Sequence, residues 1–309
     1  MATLYSQKSA NIRRTWFLMT GFFIVVIGVG YAFSAIYNNS GILYIAVLLS
    51  VVMNVTSYWF SDKIVLKLHH AEPVEFKTHP ELYRIVENLS ITAGLPMPKL
   101  YIIDDPSPNA FATGRNPEHA VVCVTTGLLE RLDRTELEGV LAHELSHIGN
   151  RDMLVSTVAV VLVGFVSILS DMFFRSMHWG GFRNRDNDRG GGKAQGILII
   201  VGLVLAILAP IIARLIHLAV SRRREFLADT SGALLTRYPE GLASALQKIS
   251  KNARPMATAS NATAHLFLEN PFGGDRDGDG KDDTPWLVRI FMTHPPISER
   301  VRALRDLKI

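Results

Sequence analysis

Residues 133–152 read DRTELEGVLAHELSHIGNRD, and the chain's architecture is best read outward from this stretch. Asp133 is a helix N-cap candidate, and Glu136, three residues on, completes the pattern of a reciprocal capping box. Leu137, Val140, Leu141, Leu145 and Ile148 then recur at helical spacing, which predicts an amphipathic helix. His143 and His147 stand at i and i+4 on it, so their imidazoles project from one face about one turn apart. That spacing suits two nitrogens on one tetrahedral zinc ion at about 2.0–2.1 Å. Glu144 sits beside them, within reach of a water on such an ion. Zinc lowers the pKa of that water to near 7, where a neighbouring carboxylate can take its proton. An H-E-x-x-H string on a solvated helix with two incidental histidines is the bland alternative. The capped, amphipathic setting disfavours it.

A catalytic zinc site takes three protein ligands and keeps one position open. The metzincin extension is absent, because its glycine and third-histidine positions hold Asn150 and Met153. No glutamate occurs between Glu144 and Glu225, so a carboxylate ligand cannot come from shortly after the motif. Glu225 and Asp229, in EFLAD, are again i and i+4 and share a helix face. On one reading Glu225 binds the metal and Asp229 holds a ligand histidine by its other ring nitrogen. On the other, both are surface carboxylates offsetting Arg222, Arg223 and Arg224. His178 and His217 are poorer ligands, one in a glycine-rich connector and one at the end of an apolar run.

The composition places this helix in an unusual setting. Of 309 residues 48% are apolar and only 19% charged, with a mean hydropathy of +0.20. That excludes a disordered chain and a solvated helical rod. The lone Cys123 excludes an internal disulfide framework and any zinc site built on two or four cysteines. The net charge of +4 is small, and no basic stripe with interleaved aromatics points to nucleic acid. No charged residue occurs between Arg14 and Asp62. Residues 16–36 and 42–60 are each long enough to span a bilayer, which takes about 20 apolar residues. Between them lies a polar turn, and Tyr58 and Trp59 fall where an interfacial aromatic belt belongs. A cleaved signal peptide fits less well, since the first run exceeds the ~7–15 residues of a signal core and a second follows at once. Lys8, Arg13 and Arg14 before the hairpin, and Lys63 and Lys67 after it, put both of its ends in the cytoplasm.

Two further uncharged runs, 153–170 and 194–213, flank a Gly/Arg/Asp-rich connector that reads as mobile. They are either two more spans or a core-helix hairpin. His147 precedes the first and Glu225 follows the second, so one ion joins them only after two crossings or none. The chain thus divides into an N-terminal transmembrane hairpin (1–61), a first soluble part (62–152), a second apolar hairpin (153–220) and a C-terminal soluble part (221–309). In the first soluble part, His79-Pro80-Glu81 opens a helix that Gly94 and Pro96 stop. Residues 100–103 and 120–124 read as strands, with 111–114 as a short edge strand. The C-terminal part reads as mostly helical.

The chain resembles the HtpX-type integral-membrane zinc metallopeptidases, relatives of the CAAX prenyl proteases. The resemblance rests on NAFATG at 109–114, HELSHIGNRD at 143–152, SRRREFLAD at 221–229, and THPP at 293–296 with Arg300, in that order. It implies a mainly α fold with a small β-sheet: a multi-span membrane protein carrying a gluzincin-like metallopeptidase domain. It implies one zinc ion per chain on His143, His147 and Glu225, Glu144 as the base, and Asp229 behind a ligand. It further implies that His294 and Arg300 face the substrate and steady an oxyanion. Asn109, Ala110, Phe111 and Ala112 would line the cleft edge that pairs with an extended peptide. The implied substrates are unfolded or misfolded proteins, with the lipid bilayer and other membrane quality-control proteases as partners. The implied location is the cell inner membrane, multi-pass, with both termini and the active site cytoplasmic. The segment GGDRDGDGKDD at 273–283 departs from the family. Its aspartates match part of a calcium loop, but position 12 is Trp286 where a bidentate Glu belongs, so it reads as a solvated linker.

Overall fold

The structure is a computed structural model and describes residues 4–162, 164, 222–260, 263–273 and 295–307. The fourth apolar run, the connector, His178, His217, the acidic loop from 274 onward, Thr293 and His294 lie outside the described residues.

The N-terminal hairpin forms as α1 (Leu4–Tyr37) and α2 (Ser40–Trp59). Asn39 separates them, and its side chain accepts the Gly41 N–H at 2.9 Å to cap α2. Both helices leave large apolar side chains uncovered, among them Trp16, Phe17, Tyr44 and Leu48. Both are long and apolar enough to cross a membrane. One stripe of α1, Leu18, Met19 and Phe22, is buried against Leu154, Val155, Val158 and Leu162. Those four belong to a helix that runs Asp152–Leu162 among the described residues. It is the seventh in chain order, α7.

Helix α3 (Ser61–Leu68) follows α2 directly, and the chain then enters a four-stranded sheet. Its strands are β1 (Glu72–Pro73), β2 (Lys99–Ile103), β3 (Ala110–Gly114) and β4 (Ala120–Thr125), in the order β1-β2-β4-β3. Only β2 and β4 are parallel, which leaves β3 at an edge. Strands 2 to 4 fall where the sequence predicts them. Strand β1 has two residues and carries no periodicity to read, and its Pro73 is confined to an edge by its missing N–H. Helix α4 (Pro80–Ala93) starts at its proline and ends on Gly94 in the left-handed conformation (φ 65°).

Both faces of the sheet are covered, which is why β4 is apolar up to its last residue, Thr125, and buried at all six positions. Val122 and Val124 face the main core with Val86 of α4 and Leu141. Cys123 and Phe111 face the other way, onto Val65 and Phe267. Burial pushes the Cys123 thiol up, out of the range where it would react as a thiolate.

The short α5 (Thr126–Arg131) leads into α6 (Arg134–Gly149), the helix of the 133–152 stretch. Around it pack α4, α8 (Arg222–Thr236) and α9 (Pro239–Lys251), with α10 (Ile297–Arg305) behind. Helix α6 is central, and it touches its neighbours backbone to backbone. A Cβ at Gly232 of α8 would stand 2.9 Å from the His143 nitrogen, and one at Gly139 only 2.7 Å from that of Leu242. Any side chain at Gly232 would push α8, and the carboxylates it carries, away from the histidines. The molecule is mainly helical with a small mixed sheet, as the sequence predicts.

Candidate active site

The capping box at the start of α6 forms as the sequence predicts: Asp133 accepts the Glu136 N–H, and Glu136 accepts the Asp133 N–H, both at 3.0 Å. Glu136 also takes Ser244 (2.6 Å) and Lys248 (2.7 Å) of α9, which fixes the helix start. Two to four turns on, the helix is almost wholly buried, and His143 and Glu144 are each about closed to solvent, at 1% and 2% exposure.

The two imidazoles project from one face as their spacing requires, with their Nε2 atoms 3.1 Å apart. Helix α8 brings Glu225 onto them across the Gly232 contact. Its carboxylate lies 3.7 Å from His143 Nε2 and 3.6 Å from His147 Nε2. One donor atom from each of the three lies within 4.8 Å of the other two. Donors at about 2.0–2.1 Å from a tetrahedral ion stand about 3.3 Å from one another, so the separations fit. The chemistry of the donors fits as well. Nδ1 of His143 is 2.9 Å from Asp229 Oδ1, and Nδ1 of His147 is 3.2 Å from Asp152 Oδ2. Each Nδ1 therefore carries the proton it donates to its carboxylate, and each Nε2 presents a lone pair. Two lone pairs and a carboxylate facing one another in a buried pocket repel unless a cation lies between them. The pocket favours positive charge at this point: burial pulls His147 down, but its bond to Asp152 and the charges of Glu225, Asp152 and Glu144 outweigh this and raise the imidazole to about 9, and a bound cation would take the place of the Nε2 proton.

Behind His143 lies an arginine. Arg300 is fully buried and donates through Nε (2.8 Å) and Nη2 (2.6 Å) to both oxygens of Asp229. Burial alone would raise the Asp229 carboxyl, but Arg300, and the His143 bond after it, hold it down at about 2. The sequence reading put Arg300 at the substrate with His294. The structure instead sets it behind the metal helix, because α10 packs on α9 and carries its arginine into the core.

In front of His147 opens a cleft lined by Ala112, Glu144, His147, Arg224, Glu225 and His265, with others. Strand β3 forms its edge. Odd residues of β3 pair with β4, as the Thr125 N–H to Asn109 carbonyl bond shows (3.0 Å), so the backbones of Ala110 and Ala112 face outward. Ala110 is already occupied, its carbonyl accepting the Leu268 N–H at 3.0 Å. Asn109 is committed too, its amide bonded both ways to the backbone of Glu269 (2.9 and 3.1 Å). Phe111 points to the far face, against the rings of His69 and Phe267. Of the four residues predicted to line the cleft edge, Ala112 alone reaches the cleft. Alternation along the strand and the 264–269 segment account for the other three.

Two residues of the site escape the sequence reading. Asp152 belongs to the quoted stretch, but nothing in its spacing announces a bond to His147. It gets there because Arg151 turns the chain in the left-handed conformation (φ 56°). His265 sits at the cleft wall and donates Nε2–H to the Ser156 carbonyl at 3.1 Å. No motif marks it.

Comparison with known proteins gives the family. Residues 76–308 match Peptidase family M48. A protein named Protease HtpX homolog from Caldanaerobacter subterraneus subsp. tengcongensis is 45% identical, over 99% of this chain and 99% of its own. Another of that name, from Dictyoglomus thermophilum, is 47% identical over 98% of this chain and 94% of its own. The crystal structure of S. mikatae Ste24p covers 98% of this chain and 67% of its own, at 18% identity and a TM-score of 0.49. With a match over most of its length and relatives this similar from end to end, the chain belongs to Peptidase family M48 and is a metallopeptidase.

Proposed function

We propose that this protein is a membrane-bound zinc endopeptidase that cuts misfolded or damaged membrane proteins at the cytoplasmic face of the membrane. The observation that carries the chemistry is the donor set: two imidazoles and Glu225 converge, a separate carboxylate backs each imidazole, and Glu144 stands beside them in an open cleft. Zinc is the metal that this mixture of two nitrogens and one carboxylate suits. When bound, it supplies Lewis acidity toward a carbonyl and makes water a nucleophile near neutral pH.

The chain's own residues do the rest. His143 and His147 are held in one tautomer and one orientation by Asp229 and Asp152, and Arg300 holds Asp229. Glu144 takes the proton from the attacking water and passes it to the leaving amine. The outward backbone of Ala112 pairs with an extended peptide, and the bond between Leu268 and Ala110 closes that edge on one side. Only unfolded chain fits such an edge, which supports misfolded proteins as the substrates. Oxyanion stabilisation is assigned to His294, as the resemblance implies, while Arg300 commits Nε and Nη2 to Asp229 and holds Nη1 3.9 Å from Glu225 Oε2. The membrane assignment rests on α1 and α2, whose apolar surfaces stay uncovered, and on the basic residues at the hairpin's ends. A scaffold with structural zinc would need a closed site of four protein ligands, whereas the cluster among the described residues has three.

The test uses detergent-purified full-length protein. Unfolded casein should be cut and a folded protein of similar size left whole. A chelator should abolish cleavage, and added zinc should restore it. Equal cleavage of folded and unfolded chains would contradict the edge-pairing reading, and activity that persists through chelation would contradict the zinc reading.

A further inference from the structure

We infer that Asn11, on the first apolar helix, is a positioning residue of the metal site and acts through Asp152 on His147. The inference rests on the reading of His143, His147 and Glu225 as a zinc site. Asn11 is fully buried. Its Nδ2 donates to Asp152 Oδ1 at 2.6 Å and to the Asn150 carbonyl at 3.1 Å, and its Oδ1 accepts from Arg14 Nη1 at 3.3 Å. The amide has one sensible orientation, because the reverse would set an oxygen 2.6 Å from a carboxylate.

Both acceptors lie on the turn that leaves the metal helix. Asn150 is the C-cap of α6, Arg151 takes the left-handed conformation, and Asp152 opens α7. One amide from α1 therefore clamps this turn from both sides. The other oxygen of Asp152 accepts from His147 Nδ1 at 3.2 Å. A carboxylate in that place fixes the ring's tautomer and direction, and so the aim of Nε2. Without Asn11, Asp152 Oδ1 would lose its one short hydrogen bond among the described residues and keep the longer ion pair with Arg224 Nη1 at 3.6 Å. The carboxylate would then be held less firmly toward His147.

The rest of α1 explains how an amide comes to stand there. Asn11, Thr15, Leu18, Met19 and Phe22 are the buried face of the helix. Its upper part packs on α7, and its polar end meets Asp152. A polar side chain on so apolar a helix is costly unless satisfied, and the donors of this one are satisfied by the turn that carries Asp152. Helix α1 thus helps to hold the metal as well as to anchor the chain.

The test uses the full-length protein in detergent, with two readouts that do not depend on activity: zinc affinity by chelator competition, and the visible spectrum of the cobalt-substituted protein. Asn11→Leu keeps the side chain's size and removes its donors. Asn11→Ala is the second variant, should leucine disturb packing. Thr15→Val is the control, since among the described residues the Thr15 hydroxyl bonds only the Asn11 carbonyl of its own helix (3.1 Å). Both Asn11 variants should bind zinc about tenfold more weakly and shift the cobalt bands, with Thr15→Val unchanged. In an Asp152→Asn background, Asn11→Leu should add nothing further. Wild-type affinity and spectrum in both Asn11 variants, or an equal loss in Thr15→Val, would overturn the inference alone. A wild-type protein that holds no zinc would overturn the zinc reading, and this inference with it.

Discussion

Glu144→Gln should abolish peptide hydrolysis and leave the metal in place. The glutamine is the same size and sits in the same cleft, but its amide cannot take a proton from water. General-base catalysis contributes about 10²–10⁴ in rate, so kcat should fall by about that factor. KM should barely move, because the side chain is not needed to pair the peptide along Ala112. Zinc affinity should stay close to wild type, because the three convergent donors are His143, His147 and Glu225. Single-turnover cleavage of casein, with bound zinc counted on the same samples, measures both. A variant that loses zinc in proportion to activity would make Glu144 a part of the metal's shell, and its role as base would fall.

The second large effect is expected at Arg300. Arg300→Met leaves Asp229 buried with its two charge-assisted bonds gone. Removing one partner of a buried ion pair costs about 3–5 kcal/mol, and the midpoint of thermal unfolding should drop accordingly. The Asp229 carboxyl, freed from the arginine that outweighs its burial, would no longer stay at about 2. Its grip on His143 Nδ1 would weaken, and zinc affinity would fall with stability. Arg300→Lys restores a charge but not the fork, so it should recover part of each. An oxyanion donor would behave otherwise. It would lose kcat alone, with unfolding midpoint and zinc binding unchanged. That outcome would return Arg300 to the substrate side, where the family resemblance puts it.

Much of the site was legible before any coordinates. The capping box, the stripe from Leu137 to Ile148 and the i, i+4 histidines all act within one helix, where spacing and geometry are the same thing. The pairing of Glu225 with Asp229 is legible for the same reason, since both stand on one face of α8. What the spacing hides is every contact that depends on a turn or a packing. Asp152 follows His147 by five residues, which on a continuous helix would place it on another face. The left-handed Arg151 brings it back. Asn11 lies 141 residues from Asp152, and no periodicity links them. Asn109 and Phe111 look like cleft residues in NAFATG. Strand alternation and the 264–269 segment turn one to the loop and the other to the far core. Arg300 is placed at the substrate by the resemblance, and only the packing of α10 on α9 shows it bonded to Asp229 behind His143.

The most direct measurement is X-ray absorption at the zinc edge on the purified full-length protein, with zinc per chain counted alongside. The expected result is one zinc per chain, with two imidazole nitrogens and the rest of the shell oxygen, all at about 2.0–2.1 Å and no sulfur. A third imidazole, a sulfur shell from Cys123 or a methionine, or zinc far below one per chain would contradict a site built from His143, His147 and Glu225.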